Sequence, residues 1–157
     1  MRCERNRDRA SRAKPRVRSA AAAARDVIIT ATPAKSFFLR DSFVRSGTFV
    51  AAVGADSPGK QELEPSLIAK DKLVVDILEQ CAEVGELHHA LDAGLMTKDA
   101  VHAELGEVFA GNRSGRANEE EAIIFDATGS AIQDTAAVAV YERAMAQGLG
   151  SSFRVYD

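Results

Sequence analysis

The sequence has few cysteines and no long apolar run. Its 157 residues include two cysteines, Cys3 and Cys81, which are too far apart in sequence to indicate a disulfide framework. The apolar runs are far shorter than the ~20 residues of a transmembrane helix, so we predict no membrane-spanning segment. Because no secretory signal precedes the cysteines, we expect a cytoplasmic location.

The sequence also lacks a matched set of metal ligands. His88 and His89 are adjacent in a predicted helix, where neighbouring side chains point to different faces. No carboxylate or histidine at a suitable spacing completes a site with them or with Cys81. We therefore predict no metal centre.

Charge is distributed unevenly along the chain. The formal net charge is −3, but residues 1–18 carry eight basic and two acidic side chains, which leaves a net charge of −9 for the rest. An acidic body argues against a nucleic-acid-binding domain. Residues 1–19 are nearly devoid of apolar side chains, and we predict that they are disordered. They are compatible with a basic arm for an anionic partner, a transit peptide or an N-terminal segment that does not belong to the ancestral fold.

Short apolar segments rich in β-branched residues recur along the chain and predict strands. These strands are Val27–Thr32, Thr48–Val53, Leu73–Asp76 and Ala122–Phe125, with a further edge strand at Phe153–Tyr156. The segments between and after them are a short amphipathic stretch at Phe37–Val44 and predicted helices at Pro65–Ala69, Ile77–Gly94, Thr97–Ala110 and Ala131–Gln147. Alternating strands and helices predict an α/β fold with a parallel sheet and right-handed crossovers.

The phosphate-binding motif of dinucleotide-binding sheets is missing. G-x-G-x-x-G does not occur anywhere, and the first glycine of the chain is Gly47. A sheet of nucleotide-binding type therefore lacks the turn that usually holds the phosphates.

A loop rich in glycine and proline follows the second predicted strand and precedes a predicted helix. It reads V-G-A-D-S-P-G-K-Q-E-L over Val53–Leu63, so the backbone is able to approach a ligand closely. Asp56 offers a carboxylate for proton transfer, and Lys60 offers a positive charge for a phosphate or carboxylate. The same composition is also compatible with a solvated turn that has two ordinary surface charges.

Five segments that occur in order carry a family resemblance. They are T-A-T-P at Thr30–Pro33, the loop V-G-A-D-S-P-G-K-Q-E-L, V-V-D at Val74–Asp76, H-A-E-L-G-E-V at His102–Val108 and I-F-D-A-T-G-S-A-I-Q-D at Ile124–Asp134. From Ser19 to its end the chain resembles the C-terminal half of the ornithine cyclodeaminase and mu-crystallin family, in particular its alanine dehydrogenase branch.

The resemblance implies a nicotinamide-binding Rossmann domain joined to an N-terminal dimerisation and substrate domain, with NAD or NADP as cofactor. Residues 20–130 would form an incomplete Rossmann-type parallel sheet. Residues 131–157 would form a C-terminal helix and tail that return to the missing dimerisation domain. The intact family forms homodimers, which we do not expect this chain to preserve.

The resemblance also assigns site residues. Asp56 matches the catalytic carboxylate, which exchanges a proton near the substrate nitrogen while hydride moves to or from the cofactor. The residues expected at the cofactor are Thr30, Val53, Gly54, Ala55, Lys60 and Ala127. Thr128 is expected at the substrate. The family commonly has serine where Ala127 stands, so a hydroxyl contact is either missing or supplied by Thr128.

Three functions stay open at this point. The resemblance implies an NAD(P)-dependent oxidoreductase of a small amino or imino acid, with alanine and pyruvate as the leading pair, or an ornithine cyclodeaminase. Both need a lysine, an arginine and a glycine turn that the family places before Ser19. The third interpretation is a truncated product or mis-started reading frame without activity of its own. Loss of a central strand would leave two neighbouring strands unpaired.

Overall fold

The structure is a computed structural model, and it describes residues 21–151 and residue 153. Its strands are β1 (Val27–Thr30), β2 (Lys35–Leu39), β3 (Phe49–Ala52), β4 (Gln61–Leu63), β5 (Lys72–Val75), β6 (Ala103–Glu104) and β7 (Ile123–Asp126). Its α-helices are α1 (Pro65–Lys70), α2 (Leu78–Val84), α3 (Glu86–Asp92), α4 (Leu105–Phe109) and α5 (Ala131–Ala146). Short 3-10 helices cover Asp41–Phe43 and Lys98–Ala100. The predicted α/β class is confirmed.

Five strands form one parallel sheet in the order β1-β3-β7-β5-β6. The last strand along the chain, β7, lies between β3 and β5, so Asp126 is opposite both Ala52 and Val75. The sheet is continuous within the described residues, with every strand between β1 and β6 paired on both sides. Its outer strands are β1 and β6, and Ile29 of β1 is 69% exposed.

The hydrophobic core lies on one face of this sheet. Val50, Leu73 and Ile124 point to this face from three neighbouring strands and are buried. They belong to one cluster with Leu67 of α1 and Leu87 of α3. Residues of the opposite face, such as Val74 and Ile123, are also apolar and buried, so these strands are nearly continuous apolar runs, which explains why the sequence predicted them well.

The segment Phe37–Val44, interpreted as an amphipathic stretch between two strands, is divided between two elements. β2 covers its beginning, and the 3-10 helix Asp41–Phe43 covers its end. β2 pairs in parallel with β4 and forms a second, two-stranded sheet. A pairing partner elsewhere in the chain decides this structure, and local patterning does not reveal it.

The helix predicted for Thr97–Ala110 is confirmed only over Leu105–Phe109, and its first part is wrong. The backbone N–H of His102 donates to the Leu73 carbonyl at 2.9 Å, so this stretch joins the main sheet as β6. Helix α4 begins only after Glu104, whose N–H donates to the Glu107 carboxylate at 3.0 Å. This contact marks the helix start that the sequence interpretation missed.

The loop with Asp56 leads into β4 first, and α1 begins only at Pro65. The prediction of a loop that leads directly from a strand into a helix is therefore wrong in this detail. The expected position of Asp56 at the carboxyl edge of the parallel sheet is confirmed, because its loop follows β3.

Helix α5 is the longest described helix, and none of its residues is buried. Ile132 is 77% exposed, and Val140 and Tyr141 are also exposed. The apolar side chains of α5 are therefore not covered by any part of the described chain. Residues 1–19 and most of the predicted strand Phe153–Tyr156 lie outside the described residues. Among the described helices, none has the length and apolarity needed to span a membrane.

Candidate functional site

Two loops meet at the carboxyl edge of the main sheet because β3 and β7 are neighbours. The cleft between these loops has a volume of about 210 Å³ and is lined by Val53, Asp56, Ala127, Thr128, Gly129 and Gln133. Open α/β sheets bind ligands in crevices at this edge. The topology therefore brings together four of the predicted site residues, two from each loop.

Asp56 is half exposed and forms an ion pair with Lys60 in the same loop. Lys60 Nζ donates to Asp56 Oδ1 at 2.5 Å. This hydrogen bond, together with the lysine charge, lowers the pKa of Asp56 below its ordinary value. Asp56 is therefore a carboxylate at neutral pH and is suited to accept a proton in the cleft.

The loop after β7 is held by Asp76, which follows β5. The backbone N–H groups of Thr128 and Gly129 donate to Asp76 Oδ2 at 2.9 and 3.1 Å. The Thr128 hydroxyl donates to the same carboxylate at 3.3 Å. Ala127 donates its N–H to the Ala52 carbonyl at 2.9 Å and continues the pairing of β3 with β7. The Thr128 hydroxyl thus keeps acceptor capacity for a ligand, while its proton is directed to Asp76.

Thr30 lies at the carboxyl end of β1, opposite Ala52. Its side chain is almost completely buried, and Oγ1 has no hydrogen-bond partner among the described residues. Thr30 does not line the cleft of Asp56; it lines a separate open cavity of about 410 Å³. Since buried hydroxyls normally have partners, this one fits a ligand that supplies an acceptor or donor.

Gly54 and Ala55 are buried and do not line the cleft. The Gly54 N–H donates to Glu62 Oε2 at 3.1 Å, and the Thr32 N–H donates to Glu62 Oε1 at 2.6 Å. A Cβ atom at Gly54 would lie 2.5 Å from the Glu62 carboxylate. In this structure Gly54 and Ala55 therefore support the loop from its inner side.

Glu86 and Asp126 are two further buried carboxyl groups that accept backbone N–H groups. Glu86 accepts the N–H groups of Glu62 and Leu63 at 2.6 and 3.1 Å. Asp126 accepts the Leu87 N–H at 2.9 Å at the start of α3. Burial raises the pKa of Glu86 to about 8 and the pKa of Asp126 to about 6. We call Glu62, Glu86 and Asp126 the carboxylate trio; each is fully buried.

No metal-binding set is present in the part of the chain that the structure describes. No three His, Cys, Asp or Glu side chains there are grouped to hold an ion. His89 contacts the Lys60 carbonyl through Nε2 at 2.7 Å, and His88 lies 3.2 Å from Asp92.

The sequence profile of the ornithine cyclodeaminase/mu-crystallin family matches residues 2–148. The chain belongs to this family. It is 45% identical over 132 residues to the alanine dehydrogenase of Archaeoglobus fulgidus, and the match covers 83% of this chain and 41% of that protein. The predicted resemblance to an alanine dehydrogenase and to the C-terminal half of the family is confirmed.

Solved structures of family members have the same fold. An archaeal alanine dehydrogenase dimer with bound NAD superimposes with a TM-score of 0.70 at 45% identity, covering 83% of this chain and 41% of that one. The Δ1-pyrroline-2-carboxylate reductase of Thermococcus litoralis, in complex with NADH and L-proline, superimposes with a TM-score of 0.75 at 31% identity, covering 86% and 42%. This family member thus spans about two fifths of the length of these relatives.

A nicotinamide dinucleotide fits this chain at one end only. The cleft of about 210 Å³ is smaller than the ~300–1,000 Å³ of typical ligand pockets, so it suits a part of such a cofactor. The buried, unpartnered Thr30 hydroxyl lies outside this cleft, at the separate cavity of about 410 Å³, and offers a contact there. The chain has no G-x-G-x-x-G turn for the pyrophosphate.

Sequence reasoning missed Asp76 and the carboxylate trio. Asp76 and Asp126 carried a usable signal, because each directly follows an apolar strand segment. Glu62 and Glu86 carried none, since neither directly follows an apolar run and both resemble surface positions. Only the folded arrangement shows that they are buried.

Proposed function

We propose that this chain supplies the catalytic, nicotinamide-side part of an NAD(P)-dependent oxidoreductase that acts on a small amino or imino acid, with alanine and pyruvate as the leading pair. The observation that carries the proposal is the shared cleft of Asp56 and Thr128 on neighbouring loops at the carboxyl edge of a parallel sheet. Family relatives named alanine dehydrogenase and Δ1-pyrroline-2-carboxylate reductase support it.

In this mechanism Asp56 accepts the proton from the substrate nitrogen during oxidation and returns it during reduction. Lys60 keeps Asp56 ionised, so it favours the proton-accepting role. Thr128, oriented by Asp76, offers a hydroxyl acceptor to the substrate. A bound nicotinamide cofactor would supply the hydride acceptor for oxidation or the hydride donor for reduction.

Six residues would hold the nicotinamide part of the cofactor: Thr30, Val53, Gly54, Ala55, Lys60 and Ala127. Val53 and Ala127 would form apolar walls of the cleft, and Thr30 would use its unpartnered hydroxyl. Gly54 and Ala55 would act through the backbone of the loop. Because the chain lacks the phosphate turn, we expect no saturable NADH binding when the purified full chain is titrated and NADH fluorescence is followed. Saturable binding would show that the chain alone is sufficient to bind NADH.

The division of the chain is part of the proposal. Residues 20–130 would be the partial Rossmann domain, and residues 131–157 would pack on a dimerisation domain outside this chain. The exposed apolar side chains of α5 support this division. An archaeal relative is described as a dimer, and a homodimer would require that additional domain. A cytoplasmic location and the absence of nucleic-acid partners stay predictions.

A chimera tests the proposed chemistry. The C-terminal part of the Archaeoglobus fulgidus alanine dehydrogenase that matches this chain is replaced by residues 21–157 of this chain. We expect alanine-dependent NADH formation, and Asp56→Asn should lower kcat by roughly 10²–10⁴-fold, because a positioned acid or base contributes about that much. NADH binding to the chimera should persist.

The matched control for this experiment is Asp41→Asn. Asp41 also pairs with a lysine, Lys70, at 2.8 Å, but it lies in the 3-10 helix away from the cleft. Its removal should leave kcat unchanged. An Asp56→Asn chimera that turns over as fast as its parent would remove Asp56 from the mechanism.

A further inference from the structure

Glu62 links two loops at the carboxyl edge of the sheet. One of its oxygens accepts the N–H of Thr32, after β1, and the other accepts the N–H of Gly54, after β3. The last residues of these two strands, Thr30 and Ala52, lie opposite each other. A single buried side chain therefore fixes the spacing between the loop after β1 and the loop that carries Asp56.

Glu62 is itself held in place from α3. Glu86 accepts the N–H groups of Glu62 and of Leu63, so β4 is fixed against the first turn of that helix. His89, three residues further along α3, contacts the Lys60 carbonyl at 2.7 Å. The Asp56 loop is thus restrained at its start through Glu62 and at its end through His89.

The identity of Gly54 follows from the same contact. Gly54 does not have a positive φ, so its backbone conformation is open to any residue. A Cβ atom there would, however, lie 2.5 Å from the carboxylate carbon and both oxygens of Glu62. Space for the Glu62 carboxylate is therefore the physical reason for a glycine at this position.

We propose that Glu62 is a positioning residue for Asp56: through the Gly54 N–H, it sets the conformation in which the loop presents Asp56 to Lys60 and to the cleft. Glu62 does not line the cleft, so it acts through the loop backbone. The functional part of this inference rests on the proposed role of Asp56, whereas the positioning itself is measurable without cofactor or substrate.

The first test compares Glu62→Ala and Glu62→Gln with the wild-type full chain by NMR. Loss of the acceptor should make the Gly54 and Thr32 amides exchange about tenfold faster or more in the alanine variant, as expected for a lost hydrogen bond to a charged group. The pKa of Asp56 should rise towards its ordinary value, because the Lys60 contact loosens. The glutamine variant keeps the side-chain shape and one acceptor oxygen, so an intermediate effect is expected.

Glu64→Gln is the matched control for Glu62. Glu64 also accepts a backbone N–H, that of Asp41 at 2.9 Å, but on the side of the 3-10 helix. Its replacement should change neither the Gly54 exchange rate nor the pKa of Asp56. A Glu62→Ala chain that is folded and keeps the wild-type Gly54 exchange rate and Asp56 pKa would overturn the proposal, even if its overall stability falls.

Gly54→Ala gives a second test, alone and in a double-mutant cycle with Glu62→Ala, and the single variant is informative even if Glu62→Ala does not fold. Gly54→Ala alone should speed exchange of the Thr32 amide and raise the pKa of Asp56, because its Cβ displaces the Glu62 carboxylate. In the Glu62→Ala background, which has no carboxylate in this space, the same change should add little, whereas in the Glu62→Gln background the steric clash should remain. Fully additive effects, or no effect of Gly54→Ala alone, would overturn the inference. An inactive chimera combined with these NMR changes would instead refute the proposed function and leave the positioning role intact.

Discussion

The interior behind the cleft and helix α5 reverse the usual distribution of polar and apolar residues. Behind the cleft, the three acidic side chains of the carboxylate trio are fully buried. On α5, by contrast, Ile132 is 77% exposed and Val140 and Tyr141 are exposed as well. Acidic groups are normally at the surface, and large apolar groups are normally inside.

The two regions differ in whether their unusual residues have partners within the chain. Each carboxyl group of the trio accepts at least one backbone N–H, which offsets part of the cost of burial. The apolar residues of α5 are not buried by any described element. The trio therefore serves the structure of this chain, whereas no described element covers the apolar residues of α5.

The largest expected effect is a contrast in stability between the two regions. Leu87→Ala removes a fully buried core side chain and should lower the free energy of unfolding by about 2–5 kcal/mol. Ile132→Ala on α5 should change it by about 0.5 kcal/mol or less. Urea unfolding of the full chain measures both. A loss of more than ~1 kcal/mol for Ile132→Ala would mean that α5 is packed in the isolated chain, and the contrast would fail.

A smaller effect is the pH dependence of stability caused by Glu86 and Asp126. The folded chain keeps the proton of Glu86 up to about pH 8, whereas the unfolded chain loses it near 4.5. Unfolding between these pH values releases a proton. The contribution of Glu86 to the free energy of unfolding is therefore fully present below pH 4.5. It is lost as the pH rises towards 8, by at most about 1.4 kcal/mol per pH unit. Asp126 acts in the same direction, but only between 3.8 and about 6.

Unfolding measurements between pH 6.5 and 8 therefore separate the contribution of Glu86 from that of Asp126. Glu86→Gln should flatten this part of the profile, because the amide does not titrate. Glu64→Gln, which removes a half-buried carboxylate directly before α1, should keep the wild-type slope. A wild-type profile that is flat or rises over this range would contradict the raised pKa of Glu86.

The sequence predicted the sheet well and the surroundings of the site poorly, for physical reasons. Strands such as β3, β5 and β7 are short β-branched runs, so local composition identifies them. The insertion of β7 between β3 and β5 brings Thr128 next to Asp56, and strand order is not encoded in local composition. The local pattern of Thr97–Ala110 is compatible with a helix, but pairing with β5 makes Ala103–Glu104 a strand.

Some site residues were likewise identified from local sequence, and others only from the fold. Asp56 and Lys60 were predicted because they share one loop with glycine and proline, but their ion pair required the loop conformation. Glu62 and Glu86 were missed because burial is a property of the whole fold. Gly54 was assigned to the cofactor by resemblance, and the structure adds a second reason for it, the proximity of Glu62.

The smallest expected effect on stability concerns Asp56. Its side chain is 51% exposed, so it is intermediate in exposure between the buried carboxylate trio and the exposed apolar residues of α5. Burial raises the pKa values of Glu86 and Asp126, but the hydrogen bond and charge of Lys60 lower the pKa of Asp56. Lys60→Met should therefore raise the pKa of Asp56, measured by carbon NMR of its carboxyl group. The free energy of unfolding should change by about 0–1 kcal/mol, as for other exposed ion pairs.

Lys70→Met is the control for this variant, because it removes the lysine of the similar pair with Asp41 at 2.8 Å and should leave the pKa of Asp56 unchanged. If Lys60→Met also leaves it unchanged, the protonation state of Asp56 does not depend on its lysine partner. If the pKa rises, the chimera with Lys60→Met should need a higher pH to oxidise alanine, because less of Asp56 would be ionised at a given pH. Protonation in the cleft would then be set by one exposed ion pair, while protonation behind it is set by burial.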